Sequence, residues 1–387
     1  MHRRRFLQTT AALSCGAALW GDEANQSDVA WLTAVQKPPA TTPPEVPKLQ
    51  PLLVDAQGMP ITTRDDWERR RDQLRRAWLE FLGPLSREHL AGGASTDDAP
   101  VRQPPVMTVL EEDRVEGVVR QLIRYEVESG QTVEAYLLRP ESLPGPQSRG
   151  DRMRFPGVAV FHSTVPESLR QPAGVEGAPE KAFGLQLARR GCVAICPRNY
   201  LWPENHRIDA KGAAASFLER HPQSVGMDRM LLDALIAVDI LAADPQVDPQ
   251  RIGCIGHSLG AKEVLYLAAF DDRVRVTVSS EGGIGTTYSN WHDAWYLGPA
   301  ITGPEFKREH HELLAMIAPR PFLLVGGDSA DGDRSWPFIA AALPVYHLYG
   351  EPARIGLLNH QQGHSVPAEA NAQMLDWLVT YLSAGHL

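Results

Sequence analysis

Cysteine is scarce in this chain, with four among 387 residues. Cys192 and Cys196 stand four apart in the apolar run Cys192-Val193-Ala194-Ile195-Cys196, and as a strand that spacing separates their Cα atoms by about 13 Å, beyond disulfide reach. With Cys254 in a different strand, the pattern predicts three buried free thiols and no zinc site. Positive charge is also in deficit. The 38 Lys and Arg against 47 Asp and Glu leave a net charge of −9, which argues against nucleic acid or an anionic membrane as the main partner. No repeat of fixed period is present, which excludes repeat architectures. What remains, 43% apolar and 22% charged residues, is the composition of a soluble globular protein long enough to bury a real core.

The N-terminal stretch His2-Arg3-Arg4-Arg5-Phe6-Leu7 joins an arginine cluster to a short, mildly apolar run, too short to span a bilayer. Its Arg-Arg-x-Phe-Leu order resembles a twin-arginine export signal, and residues 1–35 are read as that segment. Buried free thiols agree with export of an already folded chain. Residues 36–100 read as a Pro-rich linker and a helical extension, in which Asp65 to Leu82 place Trp67, Leu74, Trp78, Phe81 and Leu82 on one face with the arginines toward water. The remainder, 101–387, reads as one catalytic domain. It opens with three period-two runs, Val106 to Leu110, Gly117 to Val127 and Thr132 to Leu138. Strands then alternate with helices: Gly157 to Phe161, Lys181 to Arg190, Gly191 to Cys196, Met227 to Ala243, Val274 to Ser279, Pro321 to Val325 and Ala353 to Leu358, with helices at His310 to Ile317, Trp336 to Leu343 and Ala368 to Leu382. Such an order implies an α/β fold, a mostly parallel sheet with helices on both faces and antiparallel leading strands.

At the centre of that alternation an apolar strand breaks into Gly256-His257-Ser258-Leu259-Gly260 and then a helix. A strand turning sharply into a helix crowds its own backbone, which is the reason for the two glycines, and presents the residue between them. Ser258 is therefore the candidate nucleophile. A serine hydroxyl needs a base, and the base needs an acid to fix its tautomer. With the chain order of the α/β-hydrolase plan, serine then acid then histidine, the base falls in Asn359-His360-Gln361-Gln362-Gly363-His364-Ser365, where His364 precedes the start of the last helix and His360 sits at a strand terminus. His364 is the preferred base. The acid stays open between Glu281, after the strand ending in Ser279-Ser280, and Asp328 or Asp331 in the loop after Phe322 to Val325. Donors for an oxyanion are expected from the Leu259 amide and from Ser163 or Thr164 in the loop after Gly157 to Phe161.

The segment Glu281-Gly282-Gly283-Ile284-Gly285 and the Gly363-His364 pair resemble glucuronoyl esterases, whose acid is a glutamate in a Gly-rich segment at this place. The resemblance covers roughly Ile252 to Trp295 and the histidine loop, and it implies Glu281 as acid and Lys262, one helical turn past Ser258, as a holder of sugar hydroxyls. The elbow differs: where those enzymes carry Cys-Ser-Arg, this chain has His257-Ser258-Leu259, and its Gly-His-Ser-x-Gly is similar to acetyl xylan esterases and dienelactone-hydrolase-like enzymes. The implied activity is an exported, periplasmic or extracellular, serine esterase acting on plant cell-wall carbohydrate through an acyl-enzyme, without metal or other cofactor. The aromatic groups Tyr200-Leu201-Trp202 and Tyr288, Trp291, Trp295 and Tyr296 suit sugar stacking, with Trp202, Trp291 and Trp295 as candidates. A dienelactone-type hydrolase or a peptidase shares the elbow. A catalytically silent binding module is the reading of a different class.

Overall fold

The computed structural model describes residues 28–40, 47–92, 103–141, 154–203 and 208–383. The arginine cluster, Cys15 and the proline pair at 43–44 lie outside these residues. Nine strands form one sheet: β1 (Thr108–Val115), β2 (Val118–Glu128), β3 (Gln131–Pro140), β4 (Phe155–Phe161), β5 (Val193–Pro197), β6 (Val247–His257), β7 (Val274–Ser280), β8 (Phe322–Gly326) and β9 (Ile355–Asn359). Their order is β1-β2-β3-β5-β4-β6-β7-β8-β9. The first three strands and the β3/β5 pair are antiparallel, and every neighbour from β5 to β9 is parallel. This is the expected α/β architecture with antiparallel leading strands.

Alternation of side chains sorts the sheet residues into two cores. Phe322 and Leu324 of β8 join Ala159, Phe161, Ile252 and Cys254 on one face, under helices α2 (Arg64–Leu82), α6 (Gly226–Ala243), α7 (Leu259–Phe270), α8 (His311–Ile317) and α9 (Trp336–His347). Leu323 and Val325 join Val158, Val160, Ile255, Val276 and Val278 on the other, under the helices α1 (Leu32–Val35), α4 (Phe183–Ala188) and α10 (Ala368–Ser383). A strand buried on both faces reads as a continuous apolar run, which is why the parallel strands were legible.

Several expectations are corrected. The leader was drawn to residue 35, yet Val29, Leu32 and Val35 are buried with the helix Ala368–Ser383, Trp31 Nε1 donates to Asp376 at 2.9 Å and Arg354 pairs with Asp28 at 2.6 Å. Residues 28–35 thus belong to the folded body. The arginines of α2 were expected to face water. Arg71 instead donates to the Met316 carbonyl at 2.8 Å and Arg75 to the Phe270 carbonyl at 2.6 Å, satisfying carbonyls at the C-termini of α8 and α7 that a helix leaves without partners. The helix Lys181 to Arg190 starts later, at Phe183, after a short 3-10 turn at Pro179–Lys181. Helices α1, α3 (Pro84–Ala91) and α5 (Ala210–Arg220) had not been anticipated.

Cys192, Cys196 and Cys254 are free and buried; burial pushes the Cys192 and Cys254 thiols up to about 12 and raises Cys196 as well. Docking of the N-terminal segment is checked by Leu32→Ala, expected to lower the urea midpoint at unchanged m by an amount corresponding to about 2–3 kcal/mol of stability, as for a buried leucine. A loss below about 0.5 kcal/mol, the level of an ordinary surface change, rejects the docking.

Candidate active site

β6 runs into α7 with Ser258 as the single residue between them, at φ 59° and ψ −113°, a conformation that side chains rarely adopt. A Cβ at Gly256 would lie 2.2 Å from the Gly260 carbonyl, and one at Gly260 would lie 2.2 Å from the Phe161 oxygen. Both positions therefore exclude any larger residue. The second approach also brings the first turn of α7 against the end of β4, beside the loop carrying Ser163 and Thr164.

Ser258 N–H donates to the Ser280 carbonyl at 2.8 Å, continuing the β6/β7 ladder past the strand end. The same step recurs across the sheet. Glu281 N–H donates to Val325 O at 2.8 Å, His360 N–H to Gly326 O at 2.9 Å and Gly363 N–H to Gly327 O at 2.7 Å. Glu281 and Gln361 are both at φ 58°. The ends of four neighbouring strands are thus held in register by backbone bonds, and that register brings three side chains together from positions far apart in the chain.

His364 Nε2 lies 2.9 Å from Ser258 Oγ and its Nδ1 lies 3.1 Å from Glu281 Oε2. The Glu281 side chain is fully buried and also accepts from the amides of Gly327 and Ala330, the latter at 2.7 Å. Burial alone raises a carboxyl's pKa, but the hydrogen bonds from His364, Ala330 and Gly327 outweigh it and hold Glu281 below the usual glutamate range. An ionised Glu281 only accepts, so Nδ1 carries the proton and Nε2 is free to accept from the Ser258 hydroxyl.

Neither aspartate contacts His364 in this geometry. Asp331 is fully buried and accepts from Gly283 N–H at 2.7 Å, Ile284 N–H at 2.8 Å and Ser335 Oγ at 2.8 Å. Asp328 accepts from Asn359 Nδ2 at 2.7 Å. His360 accepts from the Gln362 amide at 3.1 Å. Leu259 N–H opens α7 and is one of the amides that a helix leaves without an internal acceptor. Ser163 is buried with its hydroxyl unpartnered, while Thr164 is exposed.

The aromatic and lysine candidates need correction. Trp202 and Trp291 are 1% and 0% exposed, so neither offers a free ring face to a sugar. Trp202 packs edge-on against His162 at 4.7 Å, and Trp291 Nε1 donates to Gly283 O at 2.7 Å. Trp295 alone of the three is partly open. Lys262 is buried and donates to Ser289 Oγ at 2.9 Å and Asn290 Oδ1 at 3.0 Å, with its ammonium 4.4 Å and 4.3 Å from the rings of Trp291 and Tyr296. Burial pulls its pKa down to about 7. It anchors the loop above it rather than standing open to solvent. His162, Asn199 and Glu263 form a buried polar chain beside the elbow that no sequence motif marks. Only the position of His162 at the strand end hinted at it. Among the described residues no three His, Cys, Asp or Glu side chains converge as a metal site requires, and no helix is long and apolar enough to cross a membrane.

Residues 149–294 match the Dienelactone hydrolase family. YtaP of Bacillus subtilis, a protein that carries the name of a hydrolase, is 27% identical over 244 residues, 59% of this chain and 76% of its own. Carbohydrate esterase MZ0003, from an unknown prokaryotic organism, is 27% identical over 138 residues, 30% of this chain and 31% of its own. Among solved structures, a glucuronoyl esterase from Solibacter usitatus superposes with a TM-score of 0.63 at 17% identity, over 87% of this chain and 99% of that one. At that identity the likeness establishes the fold, which is that of the α/β-hydrolases.

The charge on Glu281 has a measurable signature. A carboxyl held below its unfolded pKa stabilises the fold above that pKa and loses the contribution as pH falls through the folded value. Glu281→Gln is expected to cost about 1–3 kcal/mol at pH 7, with the gap to wild type narrowing below about pH 4. A gap that is constant from pH 7 to pH 3 in urea unfolding contradicts an ionised Glu281.

Proposed function

We propose that this protein is a serine esterase acting on ester-linked groups of carbohydrate, through an acyl-enzyme. The observation that carries this reading is the hydrogen-bonded line from Ser258 through His364 to Glu281, at the carboxyl ends of three parallel strands. Ser258 Oγ attacks the ester carbonyl while His364 Nε2 takes its proton. Glu281, buried and ionised, stabilises the imidazolium that forms and keeps the tautomer in which Nε2 faces the serine. Charge on the carbonyl oxygen is met by the Leu259 amide and a second amide from Ser163 or Thr164. The alcohol leaves with the proton from His364, and water, activated by the same histidine, releases the acid.

The carbohydrate assignment rests on the segment Glu281-Gly282-Gly283 beside Gly363-His364, and on neighbours described as glucuronoyl esterases and a carbohydrate esterase. The stretch Arg3-Arg4-Arg5-Phe6-Leu7, read as part of a twin-arginine-type export signal, supports a substrate outside the cytoplasm. A second reading, a hydrolase of dienelactones or of peptides, shares the elbow, and its dienelactone form is favoured by the family match over 149–294.

A fluorophosphonate probe is expected to label wild type at Ser258 and leave Ser258→Ala unlabelled. Against acetylated xylan, a glucuronate ester, a dienelactone and peptide amides side by side, one carbohydrate ester is expected to turn over fastest. Ser258→Ala should lose more than about 100-fold in kcat, and Glu281→Gln should lose up to about 10⁴-fold with KM little changed, since an amide favours the wrong tautomer. Preferred turnover of the lactone or of amides transfers the assignment to the second reading, and an unlabelled wild type rejects both.

A further inference from the structure

A second buried polar chain runs from the nucleophile's helix to the loop after β4. Glu263 lies on α7 five residues past Ser258, is 3% exposed, and accepts a hydrogen bond from Asn199 Nδ2. Asn199 is held by its own Oδ1, which accepts from Leu201 N–H at 3.0 Å. Its backbone N–H donates to His162 Nε2 at 3.0 Å. A ring nitrogen that accepts from a backbone amide carries no proton, so His162 is the neutral tautomer protonated at Nδ1. Burial agrees, pushing its pKa down to about 4. Nδ1–H therefore donates to the Ser163 carbonyl, at 2.7 Å.

That carbonyl also accepts from Val165 N–H at 2.9 Å. In a trans peptide the carbonyl and the amide of the next residue point in opposite directions, so pinning Ser163 O fixes where Thr164 N–H points. The hydroxyl of Ser168 lies 3.1 Å from His162 Nε2 and the edge-on contact with Trp202 restrains the ring. Nothing in the proposed chemistry uses Glu263, Asn199 or His162 directly, yet the chain ties the two places from which oxyanion donors come. One is the first turn of α7, and the other is the loop at 163–164.

We propose that His162 is a positioning residue for the oxyanion hole, aiming the Thr164 amide, and that Glu263 and Asn199 fix its tautomer and place against the helix that supplies the Leu259 amide. The inference rests on the serine-hydrolase reading above. Its experiment uses the full chain with a turned-over ester, a trifluoromethyl ketone that mimics the tetrahedral intermediate, and the fluorophosphonate probe. Asparagine can place an amide N–H where Nδ1 was; glutamine reaches the Nε2 position and leaves Ser163 O with the Val165 amide alone. His162→Gln and His162→Ala are expected to lower kcat about 10- to 100-fold, below the 10²–10³ cost of removing a donor outright, with KM within about twofold. Ketone affinity should fall in parallel. His162→Asn should recover to within about fivefold of wild type, and Glu263→Gln, which keeps an acceptor for Asn199, should stay within about threefold. Equal activity of the Asn and Gln variants, losses confined to KM, or unchanged ketone affinity overturns the inference. Should His162→Ala fail to fold, the Asn and Gln pair decides. A labelled wild type with unaffected His162 variants sinks this inference alone, whereas an unlabelled wild type sinks the underlying reading and this with it.

Discussion

Two loops at the carboxyl end of the sheet each hold a carboxylate from the other, and the arrangement of the strand ends depends on that exchange. Glu281, following β7, accepts from the amides of Gly327 and Ala330 in the loop after β8. Asp331, in the loop after β8, accepts from the amides of Gly283 and Ile284 following β7. Each carboxylate satisfies backbone N–H groups that would otherwise be buried without partners. In the proposed mechanism this explains why the acid stands at the end of β7. The loop after β8 is committed as a donor to Glu281, and its buried aspartate is turned inward to return the favour to the neighbouring loop.

Such an exchange also holds strain in place. Ser258, Glu281, Asp328 and Gln361 all take positive φ, each at a cost of about 1–3 kcal/mol when a non-glycine residue is forced there. These residues sit where a strand ends and the chain must turn at once. Backbone bonds from Ser258, Glu281, His360 and Gly363 to the neighbouring strand offset that cost and prevent the turns from relaxing. The line from serine to histidine to glutamate is therefore a product of strand register: the three residues are 106 and 83 positions apart at its two hydrogen bonds.

What was legible in the sequence follows from what is local. Apolar runs such as Phe322 to Val325, flanked by amphipathic segments, specify buried strands and helices, and the crowded turn at Ser258 demands small residues within two positions on either side. The preference for Glu281 over Asp328 and Asp331 came chiefly from the resemblance, because local pattern does not show which loop amides face which carboxylate across two strands. Arg71 and Arg75 were misread for a similar reason: periodicity along α2 places them on the polar side, but the C-termini of α8 and α7 meet them there. Trp202, Trp291 and Lys262 follow strand ends or the elbow as surface residues would, and only three-dimensional packing turns them inward. Asn199 meets His162 through its backbone N–H, a contact that no residue type announces.

The histidines around the strand ends show how the fold sets one of them apart for the proposed proton transfer. His162 is buried, and its Nε2 is already taken up by a backbone amide. His257, the residue before Ser258, is 1% exposed with Nδ1 3.0 Å from Ser280 Oγ, and burial drives its pKa well below the ordinary value. Burial lowers His360 as well. His364 differs from these three in having both access to solvent and a carboxylate against one nitrogen, with its side chain 43% exposed. The neutrality of His257 bears directly on the mechanism, because its ring centroid lies 4.9 Å from that of His364. A second positive charge at that distance would oppose the imidazolium that the proposed reaction must form. Burying His257 removes that competing charge, so in the proposed reaction the carboxylate of Glu281 faces a single imidazolium.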